Sequence, residues 1–211
     1  MKSSKRWNIH SECFTTSMNT KLNTGIVLAG GRSRRMGTDK SMMMLNGKSM
    51  IEYSIDVLKP LCHKVVISSN NFIYDFTGCE VWPDELPDQA PIVGIYSCLK
   101  RSATEYNIFL SCDMPMMSTE MIEYLLANSA EYDITVPVHE DGLMEPLCGI
   151  YKQLSIEVLK QFIDERNFRL NDCIKATSHR LITVNQQLPF YSPDLFSNIN
   201  TPDDFNHLLS D

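Results

Sequence analysis

Between Gly25 and Lys40 a short apolar run, Gly25-Ile26-Val27-Leu28-Ala29, breaks into Gly30-Gly31 and then into Arg32, Arg34, Arg35 and Lys40. An apolar, partly β-branched stretch that stops at paired glycines predicts a buried strand followed by a loop whose bare backbone lets a ligand approach closely. Exposed N–H groups and four cationic side chains make an anion cradle, and the natural anion for one this dense is a polyphosphate. In open α/β sheets, ligands bind beyond the carboxyl ends of the strands, so this one segment already constrains the fold.

The rest of the chain alternates strands and helices. Ser41–Leu45 is apolar, and Asn46-Gly47 is a tight-turn pair. Ser49 and Glu52 have capping-box spacing, which opens a helix to about Leu58 that Pro60 stops. Lys64–Ser69 and Glu80–Trp82 read as strands. Pro91 starts a helix to about Arg101, and Tyr106–Ser111 is the next buried strand. Ser118 caps a helix carrying Met121, Ile122, Leu125 and Leu126. Asp133–Pro137 and Pro146–Tyr151 read as strands on either side of a charged turn, His139–Met144. Helices at Leu154–Glu165 and Leu170–Ala176, the strand Arg180–Val184 and a last helix opened by Thr201-Pro202 complete the chain. This alternation predicts a Rossmann-like, three-layer α/β/α fold with a mostly parallel sheet covered on both faces.

Residues 1–23 are polar and Ser/Thr-rich and read as a flexible tail, leaving 24–211 as a single domain. Met18, just ahead of the first strand, is a candidate start codon. Glu12 and the short length fit a transit peptide poorly. At 211 residues the chain can bury a good core. A net charge of −7 argues against nucleic acid as a partner and sets off the local arginine cluster. Seven cysteines without a Cys-x-x-Cys pair fit neither a disulfide framework nor a zinc ribbon. No stretch approaches a membrane span, so a reducing, cytoplasmic setting is expected.

The rule for α/β sheets gathers Gly30, Gly31, Ser68 to Asn71, Asp84, Asp113, Asn198 and Asn200 on one rim. Asp113 follows a buried strand; taken alone an Asp there reads as a turn cap, whereas opposite a triphosphate it is a natural Mg²⁺ ligand. Gly94 falls in the first turn of a helix, where N–H groups meet phosphate, although a packing glycine explains it nearly as well. Gly47-Lys48-Ser49 ends like a P-loop, but Met42 stands where that motif needs its first glycine. The five histidines show no metal-ligand spacing, and no Ser-His-Asp or Cys-His arrangement is evident.

The run LAGGRSRRMGTDK resembles the signature loop of nucleotidyltransferases that activate small molecules with an NTP, most closely that of the molybdenum cofactor guanylyltransferases. The resemblance extends over WPDELPDQAPIVG (Trp82 to Gly94), FLSCDMP (Phe109 to Pro115) and NINTPDDF (Asn198 to Phe205), in family order. It implies a nucleotide-diphospho-sugar-transferase-like fold, GTP and molybdopterin as substrates, and Mg²⁺ as cofactor. Leu28, Ala29, Gly30, Gly31 and Lys40 would hold the nucleotide, with Lys40 and Arg35 on the phosphates and Asp113 on the metal. Asp84 matches an aspartate used in nucleotide recognition. Ser68 departs from the family's frequent asparagine, so Asn70 or Asn71 would fill that role. Gly94, Asn198 and Asn200 would meet the second substrate. Transient contacts with molybdoenzyme apoproteins or cofactor-insertion proteins would follow.

Cytidylyltransferases of molybdopterin or methylerythritol phosphate, and sugar-phosphate nucleotidyltransferases, are the neighbouring alternatives. They commonly show Leu-Ala-Ala-Gly where this chain has Leu28-Ala29-Gly30-Gly31. A protein that carries molybdopterin or nucleotide without turnover is a further alternative.

Overall fold

The computed structural model describes residues 23–30, 40–87 and 90–199, together with Asp204. Its centre is a seven-stranded sheet of order β5-β4-β1-β6-β8-β7-β9. The strands are β1 (Asn23–Leu28), β4 (Lys64–Ser68), β5 (Glu80–Trp82), β6 (Tyr106–Ser111), β7 (Ile134–Val138), β8 (Cys148–Lys152) and β9 (His179–Thr183). Asn23, counted with the tail in the sequence, is already strand and is buried. The four strands from β5 to β6 run parallel, as do β7 and β9. β8 is antiparallel to both of its neighbours. The reason is the short link 139–147, which is a turn with Gly142 at φ +89°, whereas a parallel crossover needs a dozen residues or more.

Alternation along β1 decides what each face buries. Val27 joins Ile67, Ile108 and Leu110 under α1 (Met50–Leu58) and α3 (Thr119–Ala127). Ile26 and Leu28 join Val66 and Phe109 on the opposite face, under α2 (Pro91–Arg101), α4 (Ile156–Asp164) and α5 (Leu170–Lys175). Two apolar cores, one per face, are what a three-layer α/β/α domain requires.

Local signals set the elements. The Glu52 carboxylate accepts from the Ser49 N–H at 2.8 Å and from the Ser49 hydroxyl at 2.6 Å, closing the start of α1. Pro91 occupies the first turn of α2, and the Ser118 hydroxyl accepts from the Met121 N–H at 3.2 Å to cap α3. Asn46 and Gly47, at φ +50° and +80°, close a small hairpin of β2 (Met44–Leu45) and β3 (Lys48–Ser49). Two positive φ values are what a type I′ turn needs, and this hairpin disposes of the P-loop-like Gly47-Lys48-Ser49. The helix expected from Leu154 begins with a 3₁₀ turn, Gln153–Ser155. Of the last helix, only Asp204 is described, and it is helical.

Candidate active site

The rim of the sheet is assembled by backbone hydrogen bonds between strand exits. Leu28 pairs with Ser68 on one side and Ser111 on the other. Just beyond, Ala29 N–H donates to the Ser68 carbonyl at 3.0 Å, and Cys112 N–H donates to the Leu28 carbonyl at 3.1 Å. Ser69 N–H donates to the Trp82 carbonyl at 3.1 Å, and Ile199 N–H to the Asp113 carbonyl at 2.9 Å. Leu28, Ala29, Gly30, Ser68, Asn70, Asp84, Asp113 and Asn198 therefore come together along one edge, across the exits of β1, β4, β5 and β6. The chain order turns back at β1, with β4 to one side and β6 to the other, so Gly30 stands at the topological switch point. Gly31, Arg32, Arg34, Arg35 and Asn200 lie outside the described residues, as does the tail 1–22.

Asp84 is held by a reciprocal pair. Asn70 Nδ2 donates to Asp84 Oδ2 at 2.9 Å, and the Asp84 N–H donates to Asn70 Oδ1 at 2.8 Å. Burial raises the Asp84 carboxyl above the ordinary aspartate range, and the Asn70 hydrogen bond opposes that rise. Behind it, Gly94 of α2 lies so close that a methyl group there would sit 3.3 Å from Ser68 Oγ and 3.4 Å from Asp84 Oδ1. Gly94 is buried, so its missing side chain has a packing reason of its own: it lets α2 close onto the exits of β4 and β5. Ser68 is 3% exposed. Its hydroxyl lies against Gly94 and hydrogen-bonds the Cys98 thiol. Burial pushes that thiol up to about 12, so it stays protonated and is no nucleophile.

Asp113 stands two residues past β6, where its Oδ1 accepts from the Ser111 hydroxyl at 2.5 Å. Among the described residues, no three His, Cys, Asp or Glu side chains gather into a metal cage. A single partly solvated carboxylate fits an ion that arrives with a nucleotide, since Mg²⁺ takes one or two carboxylates together with phosphate oxygens and water. Lys40 opens a 3₁₀ turn, Lys40–Met42, whose closing bond runs from Met43 N–H to the Lys40 carbonyl at 3.0 Å. Below this turn the Ser41 and Tyr74 hydroxyls are 3.0 Å apart and buried, anchoring it to the β4–β5 connection.

A cleft of about 440 Å³ opens beside this rim, between Pro91 at the start of α2, Pro146 and Leu147 before β8, and Phe168 to Asp172 at the start of α5. Sequence reading did not find it, because its walls come from three segments with no shared motif.

A family profile described as "MobA-like NTP transferase domain" matches residues 25–180. A protein from Desulfosudis oleivorans named molybdenum cofactor guanylyltransferase is 33% identical over 187 residues, 86% of this chain and 91% of that one. A relative from Natranaerobius thermophilus, named a probable molybdenum cofactor guanylyltransferase, is 35% identical over 190 residues, 86% of this chain and 92% of its own. Among solved structures, molybdopterin-guanine dinucleotide biosynthesis protein A from Archaeoglobus fulgidus superposes with a TM-score of 0.73 at 25% identity, over 87% of this chain and 95% of that one. The chain belongs to the MobA-like NTP transferase family.

Proposed function

We propose that this protein transfers GMP from GTP to the terminal phosphate of molybdopterin and releases pyrophosphate. The observation that carries this reading is the order of groups across the sheet. Asp84 follows β5, Ser68 ends β4, Gly30 follows β1 and Asp113 follows β6, with these four strands adjacent. Three inter-strand steps separate the outer two, about 14 Å at the usual strand spacing. That distance lays out a nucleotide: base against Asp84, phosphates over the glycine loop, metal-binding carboxylate beside them.

Each group then has a task. Asp84 accepts hydrogen bonds from N1–H and N2–H₂ of guanine. Lys40 and Arg35 offset the charge that grows on the leaving pyrophosphate. Asp113 would hold Mg²⁺, which when bound neutralises phosphate charge around the α-phosphorus. The acceptor phosphate attacks in line, without a covalent enzyme intermediate, and positioning supplies most of the rate. Asn198 and Asn200 orient the acceptor. The cleft between Pro91 and Phe168 suits the pterin end of this substrate, because it pairs an aromatic wall with the polar Arg169 and Asn171. The reaction is assigned to the cytoplasm, with the product passed on through transient contacts with apoproteins.

The test is pyrophosphate release with GTP, Mg²⁺ and molybdopterin. Release that needs all three supports an enzyme. Tight binding of nucleotide and molybdopterin without release would make the protein a carrier.

A further inference from the structure

We propose that Asn70 is a positioning residue that sets base specificity through Asp84 rather than touching the base itself. This rests on the guanylyl-transfer reading given above. Both polar atoms of the Asn70 side chain are engaged with one residue, since Oδ1 accepts from the Asp84 N–H and Nδ2 donates to Asp84 Oδ2. The amide's orientation is fixed by chemistry, because a backbone N–H can face only the carbonyl end. The two bonds close a ring between the exit of β4 and the exit of β5. Asp84 is fixed at its backbone and at one carboxylate oxygen, and on the other side Oδ1 lies along the bare face of Gly94. A carboxylate clamped in this way has one orientation, whereas an unclamped one rotates about two side-chain torsions. Discrimination between purines needs the first, because an acceptor that turns pairs with many donor patterns and selects none.

The experiment is a double-mutant cycle on the full chain with Asn70→Ala, Asp84→Ala and both together. It measures kcat and KM for GTP and for inosine triphosphate, which lacks the 2-amino donor. Asn70→Ala is expected to raise KM for GTP about tenfold, the scale of one hydrogen bond to a charged group, with kcat near wild type. The preference for GTP over inosine triphosphate should fall in the same variant, and Asn70→Ala should have no further effect once Asp84 is Ala. Asn70→Ser, which keeps a polar loop residue, should behave as Asn70→Ala does and serves if the alanine variant folds poorly. Equal losses on both nucleotides, or additive effects of the two substitutions, would overturn the proposal. Should wild type prefer another nucleotide, the guanylyl reading falls. The cycle measured on that nucleotide then still decides the role of Asn70: coupling with Asp84 upholds it and additivity overturns it.

Discussion

Gly94 and Asp84 pack directly against each other, since a methyl group at Gly94 would touch Asp84 Oδ1 at 3.4 Å and would crowd Ser68 Oγ at 3.3 Å. Asp84 cannot simply swing aside, because Asn70 holds it from the other side. Gly94→Ala is therefore expected to raise KM for GTP while changing stability little. Helix propensity favours alanine by up to ~1 kcal/mol, which offsets part of the crowding. Steady-state kinetics beside a thermal melt would check this. An unchanged KM would show that Asp84 relaxes without consequence.

The acidity of Asp84 gives a prediction with a definite sign. Folding raises its carboxyl above the unfolded value, so the folded state keeps a proton that the unfolded state has lost. The resulting stabilisation is present at low pH and disappears as pH rises through the raised value, leaving the ionised group a cost at neutral pH. Asp84→Asn should thus leave neutral-pH stability equal or higher while weakening GTP use. Urea unfolding at two pH values would measure it, and a loss of stability at pH 7 would contradict the sign.

Asp113→Asn is expected to abolish transfer and leave the fold nearly intact. It removes one proposed metal-binding carboxylate from a partly solvated turn, while the Ile199–Asp113 backbone hydrogen bond is untouched. Circular dichroism and pyrophosphate release report the two halves of this expectation. Near-wild-type turnover at moderate Mg²⁺ would rule out Asp113 as the principal ligand.

Lys40→Ala should slow transfer by ~10²–10³ and affect GTP binding less, because charge on the leaving group grows toward the transition state. A rise in KM alone would make Lys40 a uniform binding group.

Much of this site was readable because its residues follow strong local signals. Asp84 and Asp113 each come just after a short β-branched or apolar run, and the α/β rule sends both to one rim. The Asn46-Gly47 hairpin and the cap of α1 are likewise written in adjacent residues. The direction of β8 was legible only in the short link before it, since its apolar run, Cys148–Lys152, has the same pattern whichever way it runs. The Asn70–Asp84 pair was hidden. The α/β rule puts both on one rim, but they lie fourteen positions apart and nothing in either segment says that their side chains will bond to each other. Gly94 allowed two readings in the sequence, a phosphate-facing first turn and a packing glycine, and its neighbours Ser68 and Asp84 give the second a structural basis.

Base choice tests the central claim most directly. Transfer to molybdopterin should be measured for GTP, CTP, UTP and ATP at equal, subsaturating concentrations with Mg²⁺. On the proposed reading guanine presents two donors to Asp84, and ATP would leave that acceptor unpaired, a penalty of roughly 1–3 kcal/mol. A pyrimidine is smaller than guanine and lacks its N1–H and N2–H₂ pair of donors. GTP is predicted to be used at least about tenfold faster than any other, the factor that corresponds to the lower part of that penalty. Use of CTP at a rate equal to or above that of GTP would contradict the account and make the protein a cytidylyltransferase.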